Sequence, residues 1–427
     1  MINLKKFNSK KVGIYGLGLT GKSINKALDS SGAEIYLWDD SANLRSQYSR
    51  SHQVVMDPIK WPWDKLDYFF PSPGLNLNNN KKTKNFNCKK TKLMSDISLF
   101  EEGRGIIFPS GKMIAVTGTN GKSSTVTLLY EILKNEGFDV RLAGNIGIPI
   151  LSLKPGTEKT IYIIEVSSFQ LELTKNIKPE IAILLNISED HLDKHITIEE
   201  YRNIKSQIFC NQDSNDYSII CNTDKHTETV SKNKFLSKKI VLKESSNFLD
   251  ERYYSKNLNA IWETLKILNI SNSSILNGFN NFKGLKHRME LIYDTGKIRF
   301  INDSKATNPS ATNMAFDLNK NIFWIGGGDD KGNDLSKINL DSDNLKRVFL
   351  IGSAAVKLLS LTPEVKKPLI FKSLTLALEA AYKAAKKAGG GSIVLSPGCS
   401  SHDQFDGYEE RGDIFSKTAL SLIEMKN

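Results

Sequence analysis

Cysteine is scarce in this chain: four among 427 residues, Cys88, Cys210, Cys221 and Cys399, with no C-x-x-C pair. Spacing that wide argues against a disulfide framework and against a zinc site, both of which need closely grouped thiols. Long hydrophobic runs are missing too. The strongest apolar stretches, such as Ile181–Leu185, have the length of a buried strand and fall far short of the ~18 residues of a membrane span. The opening Met1-Ile2-Asn3-Leu4-Lys5-Lys6 has neither the apolar core nor the cleavage site of a secretory signal. The expected compartment is therefore the cytoplasm, with no membrane insertion. Arginine is sparse beside lysine, and no basic cluster interleaved with aromatics stands out. The formal charge of +11 reads as a lysine-rich solvated surface suited to small anions, not as a nucleic-acid face. The polar run 78–92 reads as a loop.

Apolar residues make up 40% of the chain. That is enough to bury a core in each of several domains, which at roughly 100–200 residues apiece means two to four. Short apolar runs alternate with helical patterns. The first α/β section has strands at 11–16 and Glu34–Trp38, with further runs near Tyr68–Phe70 and Ile106–Phe108. The second has strands at Met113–Val116, Ile161–Ile164 and Ile181–Leu185. The third follows Gly284-Leu285-Lys286, with strands at Ile298–Ile301, Ile322–Ile325, Val348–Ile351 and Ser392–Leu395 and a helix at Leu376–Ala388. Such alternation implies parallel sheets covered by helices.

Gly16-Leu17-Gly18-Leu19-Thr20-Gly21 is a complete G-x-G-x-x-G after a strand, and Asp39-Asp40 follow at the end of the next strand. Glycines there let the backbone approach a diphosphate, which the helix N-terminus attracts. The pattern alone serves a nicotinamide dinucleotide or a sugar nucleotide equally well.

A second glycine loop, Gly118-Thr119-Asn120-Gly121-Lys122-Ser123-Ser124, joins the strand Met113–Val116 to a helix expected from near Ser123. Backbone amides of such a loop cradle phosphates, Lys122 pairs with their outer oxygens, and the Ser123 hydroxyl suits Mg2+. It is shorter than the common form, with Val116 where that form has glycine. Two neighbouring strands end in Glu165 and, a few residues beyond Leu185, in His191. In an open α/β sheet these ends face the ligand, so Glu165 and His191 are candidate metal-holding groups. Asp190 and Asp193 read as acids at a helix start.

Gly118–Ser124, Glu165–Leu171 and Asn186–Asp193 resemble the G-T-N-G-K-S/T, E-x-S-S-F-Q-L and N-x-x-x-D-H-x-D segments of the Mur ligases, which build the peptide of peptidoglycan. Asn302–Asn308, Gly326–Gly332, Ser396–Phe405 and Glu409–Asp413 fit as well, so the resemblance spans Gly16 to Asp413. It implies three domains. A Rossmann-like domain over 1–96 would bind a UDP-sugar through Leu17, Thr20, Asp39 and the Ser72-Pro73-Gly74 turn, with Gly74 at its tip. A central P-loop-type domain with a mostly parallel sheet, 97–286, would bind ATP and two Mg2+ ions. A Rossmann-like domain over 287–427 would carry the incoming amino acid.

The resemblance assigns further roles. Tyr201-Arg202-Asn203-Ile204-Lys205 is similar to the family's Y-R-x-x-K, whose lysine is carbamylated, which makes Lys205 a metal-holding carbamate. Asn145 would touch the muramoyl substrate, Arg288 the ATP phosphates and Asp303 the ATP ribose, with Lys305 at a domain junction. Thr307, Lys331, Ser401 and Tyr408 would form the pocket of the amino acid. The tail segment points to the member that joins D-glutamate to UDP-N-acetylmuramoyl-L-alanine through an acyl phosphate, and a monomer is expected. The family's His-Asn pair near the adenine has no counterpart in Tyr253-Tyr254-Ser255-Lys256-Asn257, and His402 replaces an apolar residue. Competing readings are a folylpolyglutamate-synthase-like ligase, an NAD-dependent dehydrogenase and a non-catalytic nucleotide-binding regulator. The first leaves Gly16–Gly21 unexplained, the second leaves the second loop, Glu165 and His191, and the third leaves the intact set Lys122, Glu165, His191 and Lys205.

Overall fold

Strands that are apolar at nearly every position can be buried on both faces, which is the condition of a parallel sheet. In the computed structural model three such sheets form. The structure describes residues 4–29, 31–48, 53–77, 80–86, 89–104, 111–190, 195, 197–243 and 255–424. The first sheet contains β1 (Lys11–Tyr15), β2 (Glu34–Trp38), β3 (Val54–Val55), β4 (Tyr68–Pro71) and β5 (Lys92–Leu93), ordered β3-β2-β1-β4-β5. All its pairings are parallel. The chain reverses direction across the sheet between β1 and β4, and an open α/β sheet binds its ligand at such a switch.

The second sheet contains β6 (Lys112–Thr117), β7 (Val140–Gly144), β8 (Ile161–Glu165), β9 (Ile181–Leu184), β10 (Tyr217–Cys221) and β11 (Lys238–Leu242), ordered β11-β10-β9-β6-β8-β7. Strand β6 lies between β8 and β9, with Val116 opposite both Glu165 and Ile183. The loop leaving β6 is thus flanked by the ends of the two strands that carry Glu165 and Asn186. From Met113 on, β6 is buried throughout, as are β8 and β9.

The third sheet contains β12 (Glu290–Asp294), β13 (Ile298–Asn302), β14 (Ile322–Gly327), β15 (Leu345–Ile351), β16 (Leu369–Ile370) and β17 (Gly391–Leu395), ordered β12-β13-β17-β14-β15-β16. Its core combines Phe300, Phe323, Phe349 and Ile393 with Leu378, Ala381 and Phe415 from the helices Leu374–Lys387 and Tyr408–Glu424. Strand β12 is antiparallel to β13, an antiparallel edge on a mostly parallel set of sheets. Its mostly exposed residues lack the apolar pattern by which strands are recognised. Strand β10 and the edge strands β11 and β7 are likewise not among the expected strands. The helix after the second glycine loop begins at Lys122, and β8 runs through Glu165. The strand expected at Ile106–Phe108 lies outside the described residues.

The chain divides into two compact units, residues 1–187, 199–248 and 254–281 in one and 188–198, 249–253 and 282–427 in the other. Among the described residues no helix is long and apolar enough to cross a membrane.

Candidate active site

At the first switch point the Gly16 N–H donates to the Trp38 carbonyl at 2.7 Å, and the Leu17 N–H to Asp39 Oδ2 at 2.7 Å. Asp39 Oδ1 accepts from the Ser41 N–H at 2.8 Å. The acid that the dinucleotide pattern aims at a ribose is therefore also the anchor of the loop. Gly21 is required because a Cβ there would run into the Gly16 carbonyl, so helix and strand could not close up. The helix Leu19–Leu28 starts at Gly18 with no side-chain cap, leaving its first amides to whatever approaches the loop. Leu17 is buried, so it meets a ligand by its backbone; Thr20 is half-buried and Gly74 exposed. The Ser72 N–H donates to the Tyr15 carbonyl at 2.6 Å, which brings the Ser72–Gly74 turn beside the glycine loop.

The second loop is held more tightly. Asn186, the residue after Leu185, accepts from the Asn120 N–H at 2.8 Å and donates to the Asn120 carbonyl at 3.0 Å. Its own carbonyl accepts from the Thr119 N–H at 2.9 Å. Gly121 has φ of +84° and packs against the Asn257 amide, so no larger residue fits. The helix Lys122–Asn135 then begins without a side-chain cap, and Ser123 is buried in its first turn. Lys122 Nζ donates to the carbonyls of Gly118 and Thr119, each at 2.8 Å. Lys205, 1% exposed on the helix Ile198–Ser206, donates to the same Gly118 carbonyl at 2.8 Å, its Nζ 4.6 Å from the Tyr201 ring centre. Two lysine heads thus share one acceptor, and the loop is a focus of positive potential.

Beside it stands Glu165, buried at the end of β8. Its Oε1 accepts from Asn145 Nδ2 at 2.9 Å, while Oε2 is buried without a hydrogen-bond partner among the described residues. Thr117 Oγ1, at the end of β6, is buried and unpartnered in the same way. An orphaned carboxylate oxygen is expensive in a protein interior unless something completes it. A hard cation that keeps phosphate and water oxygens fits here and needs few protein ligands. Among the described residues no group of three His, Cys, Asp or Glu could hold a metal by itself. His191, and with it Asp193, lies outside the described residues.

In the second unit the loops leaving β13, β14 and β17 are tied together. The Gly398 N–H donates to the Ala306 carbonyl at 2.9 Å, and Asp329 and Ser400 exchange backbone bonds of 3.0 and 2.7 Å. This puts the segments of Thr307, Lys331 and Ser401 at one end of one sheet. Lys331 is exposed and left-handed, φ +48°, after Gly327 and Gly328. Ser401 is buried, and Thr307 and Tyr408 are half-buried. Lys305 Nζ lies 3.7 Å from the Tyr408 ring centre. Asp303 accepts from the Met289 N–H at 3.1 Å and from Ser396 Oγ at 2.8 Å. Burial still lifts its carboxyl to about 7, against the pull of those bonds and of Arg288. Asp190, expected as a helix-start acid, instead accepts from Asn308 Nδ2 at 3.1 Å.

The structure therefore gathers the second-loop residues with Glu165, Asn145 and Lys205, and separately gathers the amino-acid candidates of the second unit. Asn186 and Arg411 lie in segments that the sequence resemblance marks but to which it gives no role. An asparagine directly after an apolar strand and facing a glycine loop was the available signal for the first.

The Mur ligase middle domain matches residues 116–279. The UDP-N-acetylmuramoylalanine–D-glutamate ligase of Rickettsia bellii is 33% identical, over 97% of this chain and 98% of its own. The enzyme of the same name from Caulobacter vibrioides is 31% identical, over 99% and 98%. Among solved structures, the MurF ligase of Thermotoga maritima in complex with ADP superimposes with a TM-score of 0.59 at 17% identity, covering 99% of this chain and 97% of that one. Matched end to end by such ligases, and through its middle by their shared domain, the chain belongs to the Mur ligase family.

Proposed function

We propose that this chain is an ATP-dependent ligase that adds D-glutamate to UDP-N-acetylmuramoyl-L-alanine in peptidoglycan precursor synthesis. The observation that carries the reading is the Gly118–Ser124 loop: two lysine heads at one carbonyl, beside a buried carboxylate with an orphaned oxygen. The reading divides the chain at 1–96, 97–286 and 287–427, for UDP-substrate, nucleotide and amino acid in turn. Gly16–Gly21 and the Ser72–Gly74 turn receive the UDP diphosphate. Arg288 and Asp303 are assigned to the nucleotide, and Thr307, Lys331, Ser401 and Tyr408 to glutamate.

The alanyl carboxylate attacks the γ-phosphorus of ATP, and ADP leaves. Lys122 balances the charge on the transferring phosphoryl group. The glutamate amine then attacks the carbonyl of the acyl phosphate; the tetrahedral intermediate expels phosphate, the amine proton is lost, and an amide remains. Asn145 fixes the orientation of Glu165 by its bond to Oε1. Glu165, Ser123, His191 and Lys205 would hold Mg2+, which when bound neutralises and orients the phosphates. Two ammonium groups on one carbonyl repel each other, so carbamylation of Lys205 would turn that repulsion into attraction towards Lys122 and the metal. The acyl phosphate must be kept from water, or it hydrolyses before the amine reaches it.

The test is phosphate release from ATP with UDP-N-acetylmuramoyl-L-alanine, comparing D-glutamate, L-glutamate, lysine and diaminopimelate. D-Glutamate should support the fastest release. Preference for lysine or diaminopimelate, or release independent of any amino acid, would overturn the assignment.

A further inference from the structure

Arg411 is fully buried, 0% exposed, in the first turn of the helix Tyr408–Glu424. Its five N–H groups meet only neutral acceptors. Nε donates to Ser304 Oγ at 3.0 Å; Nη1 to the Cys399 and Ser400 carbonyls at 3.2 and 3.3 Å; Nη2 to the Ser304 and Cys399 carbonyls at 2.8 and 3.2 Å. No carboxylate lies within 4 Å of it among the described residues; Asp403 attracts it only from beyond that range. Burial without a counter-charge lowers even this guanidinium, to about 10. Buried charges in proteins are normally paired, so this one calls for a reason.

The reason lies in what the acceptors belong to. Ser304 is in the loop that leads to Thr307, and Cys399 and Ser400 directly precede Ser401. Gly328, in the third loop, comes so near that a Cβ there would lie 3.2 Å from Nη1. One planar group therefore fixes the spacing of the loops that carry the amino-acid candidates. It also places a positive charge beneath them that makes no direct ion pair among the described residues, Asp403 acting on it only from a distance. A lysine has one point charge and could not bridge two loops in this way.

We propose that Arg411 is a positioning residue of the amino-acid pocket and that its charge, held by neutral acceptors with no direct ion pair, sets the preference for an acidic amino acid over its neutral isostere. The inference rests on the reading of this loop cluster as the glutamate pocket. Arg411 touches no substrate; it acts through the Ser304 and Cys399–Ser401 backbone and through its field.

Arg411→Gln and Arg411→Lys are to be assayed for KM and kcat with D-glutamate and with D-glutamine, holding ATP and UDP-N-acetylmuramoyl-L-alanine saturating. In Arg411→Gln the KM for D-glutamate should rise at least about tenfold, in line with the loss of charged hydrogen bonds. KM for ATP and for the UDP-substrate should change less than about twofold. The glutamate-over-glutamine ratio of kcat/KM should fall, and Arg411→Lys should recover much of that ratio but not the KM. Should Arg411→Gln fold poorly, Ser304→Ala, which removes the Nε acceptor together with the donor to the Tyr408 carbonyl, should raise the glutamate KM by a smaller factor while KM for ATP and the UDP-substrate stays within about twofold. An unchanged glutamate KM in Arg411→Gln and Ser304→Ala, or an equal loss for glutamate and glutamine, would overturn the proposal. A wild-type enzyme that turned over no glutamate would instead remove the ligase reading on which it rests.

Discussion

Glu165, at the end of β8, and Arg411, in the first turn of the helix Tyr408–Glu424, are both buried charges, yet they are treated in opposite ways. Glu165 keeps one oxygen bonded to Asn145 and the other without a partner among the described residues. Arg411 has every N–H matched to a carbonyl or hydroxyl, and lacks only a counter-charge. The first pattern belongs to a group whose remaining valence is meant for a ligand. The second belongs to a group that shapes the place where a ligand goes. The difference teaches that burial and charge alone do not mark a ligand-binding residue; the completeness of its hydrogen bonding does.

The comparison breaks first at Lys122, whose head shares the Gly118 carbonyl with Lys205. Lys122→Ala should lower ligation on the order of a thousandfold, the scale of losing a donor aimed at transition-state charge. Binding of the UDP-substrate, measured by calorimetry, should survive, because Gly16–Gly21 is a separate cradle anchored by Asp39. Turnover at the wild-type rate would remove the phosphate-cradle role.

Stability and activity should then separate along the same line. Glu165→Gln keeps the acceptor for Asn145 and gives up the oxygen for the cation. Activity should drop up to about a hundredfold, the usual scale for weakening a metal site, and the Mg2+ concentration for half-maximal rate should rise, with little change in melting. Arg411→Met should do the reverse to the fold, stranding the Cys399, Ser400 and Ser304 acceptors and lowering stability by about 3 kcal/mol. If Glu165→Gln melted as early as Arg411→Met, the two groups would not differ in the way described.

What the sequence made legible was local. The glycine loops, Lys122, Ser123, Glu165 and Lys205 each sit in a contiguous pattern, strand–loop–helix or Y-R-x-x-K, whose chemistry can be read without knowing what lies across the sheet. Asn186 and Arg411 are different. Asn186 matters because β9 lies next to β6, and Arg411 because the helix Tyr408–Glu424 returns against β13; neither adjacency is encoded by spacing along the chain. Strand β12 escaped for the opposite reason: it pairs locally with β13 but shows solvent-facing residues and no apolar alternation. Asp39 reads as a UDP-substrate contact from its place after β2, while its bonds to the amides of Leu17 and Ser41 emerge only from the folded loop.

The smallest effect concerns two buried aspartates that repeat the comparison outside the catalytic groups. Asp303 has bonds from Ser396 and Met289, whereas neither side-chain oxygen of Asp96, 1% exposed at the start of the helix Asp96–Gly103, has a hydrogen-bond partner of good geometry among the described residues. Burial lifts the Asp96 carboxyl from 3.8 to about 6, the nearby amides of Ile97 and Asp96 only moderating the rise. A carboxyl whose folded value is raised binds its proton more tightly in the native chain than in the unfolded one. Stability therefore falls as pH increases from about 4 to about 6, and the cost persists at neutral pH. Asp96→Asn removes the titration. It should leave stability at pH 4 nearly unchanged and raise it at pH 8 by on the order of 2 kcal/mol, flattening that part of the pH dependence of thermal melting. The result to look for is convergence of the wild-type and variant curves towards low pH. Parallel curves, or a variant less stable at pH 8, would mean that the Asp96 carboxylate is completed by groups other than those around it here.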